Sequence, residues 1–229
     1  MKTSFAIQAT ILLFSGSLAL AQQPTVQERV VALKASLAAS QAILKQYEWI
    51  ETTTVSVKGE EKSRQMNRCY HGADGAVQKV PIAASAPPPK KRGLRGKIVE
   101  AKREEMSDYM KDAVALVKAY IPPNPGLIQA AKDAGNVSLQ PLSGQQVRLT
   151  FANYLKPGDS LALEVDLRNN RPVSAAVSTY LDSRTEPVTL TVRFGTLNNN
   201  ATYASSVLLD AKAKKLTVNV QNSGYRLAN

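Results

Sequence analysis

The strongest constraint in this sequence is the regular alternation of apolar and polar residues that begins after Gly135. In the segment SLALEVDL, the leucines and the valine fall on one side of an extended strand, while Glu164 and Asp166 fall on the other. The pattern continues in QVRLTF, PVTLTVRF, SSVLL and KLTVNV, with turn-favouring residues at Pro157-Gly158-Asp159, Asn169-Asn170 and Asn198–Asn200. We therefore predict about six neighbouring strands in an antiparallel meander with one apolar face.

An apolar sheet face needs a cover, and two upstream amphipathic helices are the candidates. The first is predicted over residues 25–49, starting at a Thr25/Glu28 capping box, and the second over about residues 97–120. A third, short helix is predicted from Asn124-Pro125 to Ala134. The apolar stripes of the long helices contain Val26, Val30, Leu33, Leu37, Leu44 and Tyr47 in the first, and Val99, Met106, Met110, Val114, Val117 and Ile121 in the second.

These elements predict one α+β domain over residues 22–229. Its curled antiparallel sheet would be an incomplete barrel whose concave face is covered by helices. Between the long helices, WIETTTVSV and SRQMNRCYH predict a hairpin that turns at Gly59, and GAVQKVPI predicts a third strand. The following residues, about 83–97, contain almost no large apolar side chain and predict an exposed, basic, proline-rich loop.

The first 21 residues have the layout of a secretory signal peptide. Lys2 is followed by an uncharged apolar segment and then by small residues, with Ala19 and Ala21 at the two positions of an A-x-A cleavage site. We expect cleavage between Ala21 and Gln22 and export to the periplasm or the medium. A retained membrane anchor is the alternative, but the apolar segment is shorter than the roughly 20 residues that a spanning helix needs.

The formal net charge is +11, of which the signal peptide holds only Lys2, and residues 90–97 supply five of the remaining ten charges. Nucleic-acid binding is not expected, because this segment contains no aromatic residue and the chain is predicted to be exported. An anionic membrane surface or an acidic envelope protein would suit it, and a merely solvated loop is the alternative. The basic residues are Lys90, Lys91, Arg92, Arg95 and Lys97.

Candidates for catalysis are few, because His71 is the only histidine and Cys69 the only cysteine. They are two residues apart on a predicted strand and therefore share a face, so a Cys-His dyad or part of a metal site is conceivable. The alternative is a small buried cysteine with no chemistry. The sequence contains no nucleophile elbow, nucleotide-binding loop or zinc-protease motif. We predict a non-enzymatic protein without catalytic residues, metal or cofactor.

The carboxy-terminal run EPVTLTVRFGTLNNNATYASSVLLDAKAKKLTVNVQNSGYRL resembles the closing strands of the LolA-like periplasmic lipoprotein carriers and their lipid-binding relatives. The shared features are a strand ending in Phe194-Gly195, an Asn-rich turn, Tyr203, and a last strand reaching Asn222 and Tyr225. The resemblance implies an incomplete barrel, lidded by helices, that holds acyl chains and carries a lipid or other amphiphile without a covalent step. The basic segment at 81–97 departs from the pattern of that group.

Two hypotheses follow. In the first, an exported protein binds a lipid or other amphiphile in an apolar cavity between sheet and helices, although the same side chains could instead fill a core. In the second, an envelope interaction module docks on an anionic surface or partner through the basic loop. The candidate cavity residues are Trp49, Leu149, Phe151, Leu163, Val165, Val192 and Phe194.

Overall fold

The computed structural model describes residues 26–84 and 94–228 of the chain. Three α-helices and ten β-strands lie within these ranges. The helices are α1 (Val26–Leu44), α2 (Leu94–Lys118) and α3 (Pro125–Asp133). The strands are β1 (Tyr47–Val57), β2 (Glu60–His71), β3 (Val77–Ala84), β4 (Val137–Pro141), β5 (Gln146–Ala152), β6 (Ser160–Asp166), β7 (Arg171–Tyr180), β8 (Pro187–Thr196), β9 (Thr202–Ala211) and β10 (Leu216–Leu227).

The ten strands form one antiparallel sheet in the order β3-β2-β1-β10-β9-β8-β7-β6-β5-β4. Strands β4 to β10 follow one another as a meander, and the amino-terminal hairpin joins them because β1 pairs with β10. The edge strands β3 and β4 do not pair with each other, so the sheet stays open instead of closing into a barrel. This confirms the predicted fold class.

Helix α2 and the sheet bury each other's apolar residues, as predicted; the short α3 takes part in this core, whereas none of the described residues of α1 belongs to it. Ala113 and Val117 of α2 and Ala131 of α3 share a core with inward residues of the strands. These strand residues alternate along each strand, which places them on one face of the sheet. The buried strand members of the core are Phe151, Leu161, Ala175, Val177, Val188, Leu190, Val192, Leu209, Ala211 and Leu216.

Several predicted boundaries and elements differ in the structure. Helix α1 ends at Leu44, not near residue 49, because Tyr47 already pairs with Leu227 of β10. Helix α2 begins at Leu94, so Arg95 and Lys97 lie in its first turn instead of in a loop. Strands β4 and β7 were not predicted, since RPVSAAVSTY carries few of the large apolar residues that reveal a strand. The hairpin, the third strand and α3 with its Asn124 cap are confirmed.

Some sequence predictions lie outside the described residues. These are the signal sequence with its Ala21/Gln22 junction, Thr25 of the capping box, and the basic residues Lys90, Lys91 and Arg92.

A buried polar cluster fixes the end of α2 to the sheet. Tyr120 is fully buried, and its hydroxyl donates a hydrogen bond to Asp159 Oδ2 (2.5 Å) and lies 2.8 Å from Thr179 Oγ1. The same carboxylate accepts the backbone N–H of Lys156 at 2.8 Å. Burial, and then the hydrogen bond to Asp159, raise the pKa of Tyr120, so its hydroxyl keeps the proton that it donates. The cluster therefore ties α2, the loop after β5, and β7 together.

Replacing Tyr120 by Phe should lower the free energy of unfolding by about 1–3 kcal/mol, because two buried polar groups lose a partner. Urea denaturation followed by circular dichroism measures this change. Tyr47→Phe is the matched control, since it removes a hydroxyl whose hydrogen bond to Asn199 is exposed to solvent. Equal stability of the two variants would show that the buried cluster does not hold α2.

Candidate binding groove beside Trp49

A cavity of about 360 Å³ lies where the end of α1 meets strands β1, β2, β9 and β10. Its wall is partly aromatic and aliphatic, with polar side chains contributed by α1, β2 and β10. The residues around it are Gln41, Leu44, Lys45, Trp49, His71, Gly75, Val77, Tyr203, Ala204, Asn222 and Tyr225. We call this cavity the Trp49 groove.

A β-bulge in β10 shapes one wall of the groove. Glu48 pairs with Arg226, but Ile50 pairs with Ser223, so β10 has one residue more than β1 across this step. Gly224 lies in the bulge with φ +63°, a conformation that glycine adopts without steric cost. Tyr225 follows directly, and its ring stacks on Trp49 with centroids 5.5 Å apart and an interplanar angle of 10°.

Two further rings extend this aromatic wall. The ring of Tyr203 lies 4.4 Å from that of Tyr225, and the ring of His71 lies 5.6 Å from Trp49. Gly195 pairs with Tyr203 across β8 and β9, and a Cβ placed on Gly195 would stand 2.9 Å from Tyr203 Cζ. Gly195 therefore makes room for the Tyr203 ring, which gives the Phe194-Gly195 and Tyr203 features of the sequence a joint physical reason.

Hydrogen bonds hold the indole and the helix in place. Trp49 Nε1 donates to Asn222 Oδ1 (3.2 Å), and Asn222 Nδ2 donates to the carbonyl oxygen of Ala204 (2.9 Å). On the helix side, the buried Ser40 Oγ accepts the backbone N–H of Thr202 at 3.0 Å. Both amide atoms of Asn222 are thus engaged within the protein, and the end of α1 is fixed beside β9.

Strand β1 also carries a buried carboxylate two residues after Trp49, and it is paired with a lysine of β3. Glu51, which is buried, accepts two hydrogen bonds from Lys79 Nζ, at 2.6 and 2.7 Å. Burial raises the pKa of Tyr225, and the neighbouring Tyr203 adds to the shift, so its phenol stays neutral. His71 Nδ1 is buried and has no hydrogen-bond partner among the described residues.

Cys69 and His71 lie on the same face of β2, where the sequence predicts them. Cys69 is fully buried, and its Sγ lies 4.0 Å from the carbonyl oxygen of Asn67. Burial raises the pKa of the thiol, and the negative charge of Glu51 adds to the effect. The thiol is therefore protonated and enclosed, as in a structural cysteine.

The predicted cavity residues occupy two different places. Trp49 lines the groove. Phe151 and Val192 belong to the core beneath the helices, and Leu149, Leu163 and Phe194 pack against that core while half-buried. Val165 is also buried, with 6% of its surface exposed. The helix-covered core therefore takes up five of these seven side chains, Leu149, Phe151, Leu163, Val192 and Phe194.

The sequence predicts none of the remaining groove residues as part of a binding cavity, although it singles out His71 as a possible partner of Cys69. Tyr203, Asn222 and Tyr225 were noticed only as features of the carboxy-terminal resemblance. Leu44 and Val77 were placed in a helix and a strand, and nothing local indicates that they face the same cavity. The missing information is the pairing of β1 with β10, which unites residues far apart in the chain.

Comparison with known proteins gives a likeness of fold only. No protein-family model matches the chain, and none of the curated proteins does. Among solved structures, the chain is similar to a LolA superfamily protein from Nitrosomonas europaea, with 12% identity, a TM-score of 0.36, and coverage of 86% of this chain and 94% of that one. A DUF1329 family protein from Desulfovibrio piger matches with 8% identity, a TM-score of 0.35, and coverage of 86% and 92%.

Residues 26–84 and 94–228 contain neither a membrane-spanning helix nor a metal-binding cluster. None of their helices combines the length and apolar character needed to span a membrane. The same residues hold no group of three or more His, Cys, Asp or Glu side chains placed to bind a metal ion.

Gly195→Ala should lower the free energy of unfolding by about 1–3 kcal/mol, because the added methyl group overlaps the Tyr203 ring. Combining Gly195→Ala with Tyr203→Val should recover most of that loss, since the overlapping ring is gone. Urea denaturation of the two single variants and the double variant gives the coupling energy. Additive losses would mean that the glycine does not serve the aromatic wall.

Proposed function

We propose that this chain is an exported, non-enzymatic binding protein that holds a single-chain amphiphile in the Trp49 groove. The observation that supports the proposal is the cavity itself, whose volume of about 360 Å³ falls within the usual range for small-molecule sites. Apolar and aromatic groups from Leu44, Trp49 and Val77 would contact an alkyl chain. Burying that chain against them is the driving force.

The polar side chains around the groove suggest an anionic head group. Lys45 lines the groove and is exposed where the groove meets solvent. A carboxylate could pair with the ammonium of Lys45. We therefore propose fatty-acid-like amphiphiles as the ligand class. No covalent step is proposed, because the only thiol is enclosed and protonated.

Export is part of the proposal and rests on the amino-terminal sequence. When the full chain is expressed in a secreting bacterial host, the protein recovered outside the cytoplasm should begin at Gln22. Amino-terminal sequencing checks this directly. Ala21→Tyr should block the processing by removing a small residue of the cleavage site. A mature protein that still begins at Met1 would contradict the proposed export.

Trp49 is the only tryptophan, so its emission reports on the groove. Titrating the delipidated protein with palmitate should give a saturable change in Trp49 emission. Val77→Asp should weaken binding at least tenfold, because it puts a charge beside the alkyl chain. Leu139→Asp is the matched control: both positions are exposed apolar residues on edge strands, and Leu139 lies on β4 at the opposite edge.

The head group is tested with cetyltrimethylammonium, used below its micellar concentration. It has the same alkyl length as palmitate but a positive charge, and it should bind more weakly. Lys45→Glu should reduce or reverse this preference. Native mass spectrometry of protein from the exporting host should detect a bound amphiphile. Absence of a bound molecule together with an unchanged Trp49 emission would refute the proposed function.

A further inference from the structure

The first turns of α2 extend beyond the part of the helix that packs on the sheet. The core contacts of this helix begin at Met106 and continue to Val117, with Tyr120 just after its end. All the residues from 97 to 105 are exposed. At 1.5 Å per residue, this exposed part is about 14 Å long. We call residues 97–105 the α2 extension.

The side of α2 that faces the core continues into the extension. Residues seven apart lie on the same side of a helix, so Val99 continues the line of Met106 and Ala113. In the same way, Lys102 continues the line of Tyr109 and Leu116. The amphipathic face of α2 thus continues into the extension, where the sheet no longer covers it.

Apolar and charged residues are segregated around the extension. Ile98 and Val99 are 52% and 49% exposed, which is high for such large apolar side chains. The helical period places Lys102 between them and Arg103 at the margin beside Val99, with Glu100 and Glu104 on the opposite side. This face is therefore both apolar and positively charged.

One acidic residue near the face is neutralised where the packed part of the helix begins. Glu105 Oε1 accepts a hydrogen bond from Lys214 Nζ at 2.6 Å, just after β9. This ion pair lowers the pKa of Glu105, mainly through the hydrogen bond and also through the positive charge of Lys214. It marks the point at which the extension leaves the body of the protein.

We propose that the Ile98, Val99, Lys102 and Arg103 face of the α2 extension docks on an anionic lipid bilayer. Helices that lie in a membrane surface combine apolar side chains, which enter the acyl boundary, with Lys or Arg, which contact the head groups. The positive charge of this face and the net charge of +10 that remains when Lys2 leaves with the signal peptide (11 − 1) both select an anionic surface. The proposal goes beyond amphiphile binding in the Trp49 groove and does not depend on it.

Sedimentation with vesicles tests the docking. The purified protein should bind vesicles that contain phosphatidylglycerol but not vesicles of phosphatidylcholine alone, and high salt should weaken the binding. The double variant Lys102→Glu/Arg103→Glu should bind at least tenfold more weakly. Its matched control, Lys132→Glu/Lys212→Glu, makes the same change in net charge at exposed positions elsewhere and should bind almost normally.

The apolar part of the face has its own variants. Ile98→Ser/Val99→Ser should also weaken binding to these vesicles. The control Leu139→Ser/Leu208→Ser, which alters two exposed apolar residues elsewhere on the protein, should not. All four double variants should keep the melting temperature and the palmitate titration of the parent. A loss of vesicle binding can then be distinguished from a loss of palmitate binding in the Trp49 groove.

Three outcomes would overturn the proposal. The first is failure to bind phosphatidylglycerol vesicles, including the case in which only an acidic protein is captured. The second is a loss that depends on net charge alone, with both charge-reversal variants equally weak. The third is a loss caused only by Lys90→Ser/Lys91→Ser/Arg92→Ser, with the α2 variants unaffected, which would assign the binding to the preceding basic segment.

Discussion

The antiparallel pairing of β1 with β10 is the interaction on which the rest of the structure depends. It runs from Tyr47 and Leu227 at one end to Val57 and Leu216 at the other, and it makes one sheet of the hairpin and the meander. Without it, Trp49 would have no Tyr225 to stack on and no Asn222 to bond. Each half of the chain would also expose an additional strand edge, with unpaired backbone groups.

The same sheet serves two purposes along its length. Toward β4, helices α2 and α3 cover it, and large side chains such as Phe151, Leu161 and Val188 fill the space between the layers. Toward β3, the wall instead consists of aromatic rings held by a bulge, a glycine and an asparagine. One continuous sheet thus borders a filled core toward β4 and an open groove toward β3.

The sequence predicted much of the fold and little of the groove, for a physical reason. Period-two alternation is local, so it revealed β5, β6 and β8, while the small side chains of β7 weakened the same signal. A groove depends on which distant strands become neighbours. The residues near Trp49 do not indicate that Tyr225 will lie beside it. The bulge that positions Tyr225 depends on a single glycine, Gly224, in β10. The early start of α2 was missed because Gly96 is a weak helix former and because basic residues in a first turn oppose the helix dipole.

The chain order of the groove has a consequence for its assembly. Trp49 belongs to the second element of the structure, whereas Asn222 and Tyr225 belong to the last. A polypeptide that crosses a membrane or leaves a ribosome amino-terminus first presents the tryptophan long before its partners arrive. Binding capacity would therefore appear only when the final strand is in place. A chain that lacks a few carboxy-terminal residues would still fold in its helix-covered half but would not bind a ligand in the Trp49 groove.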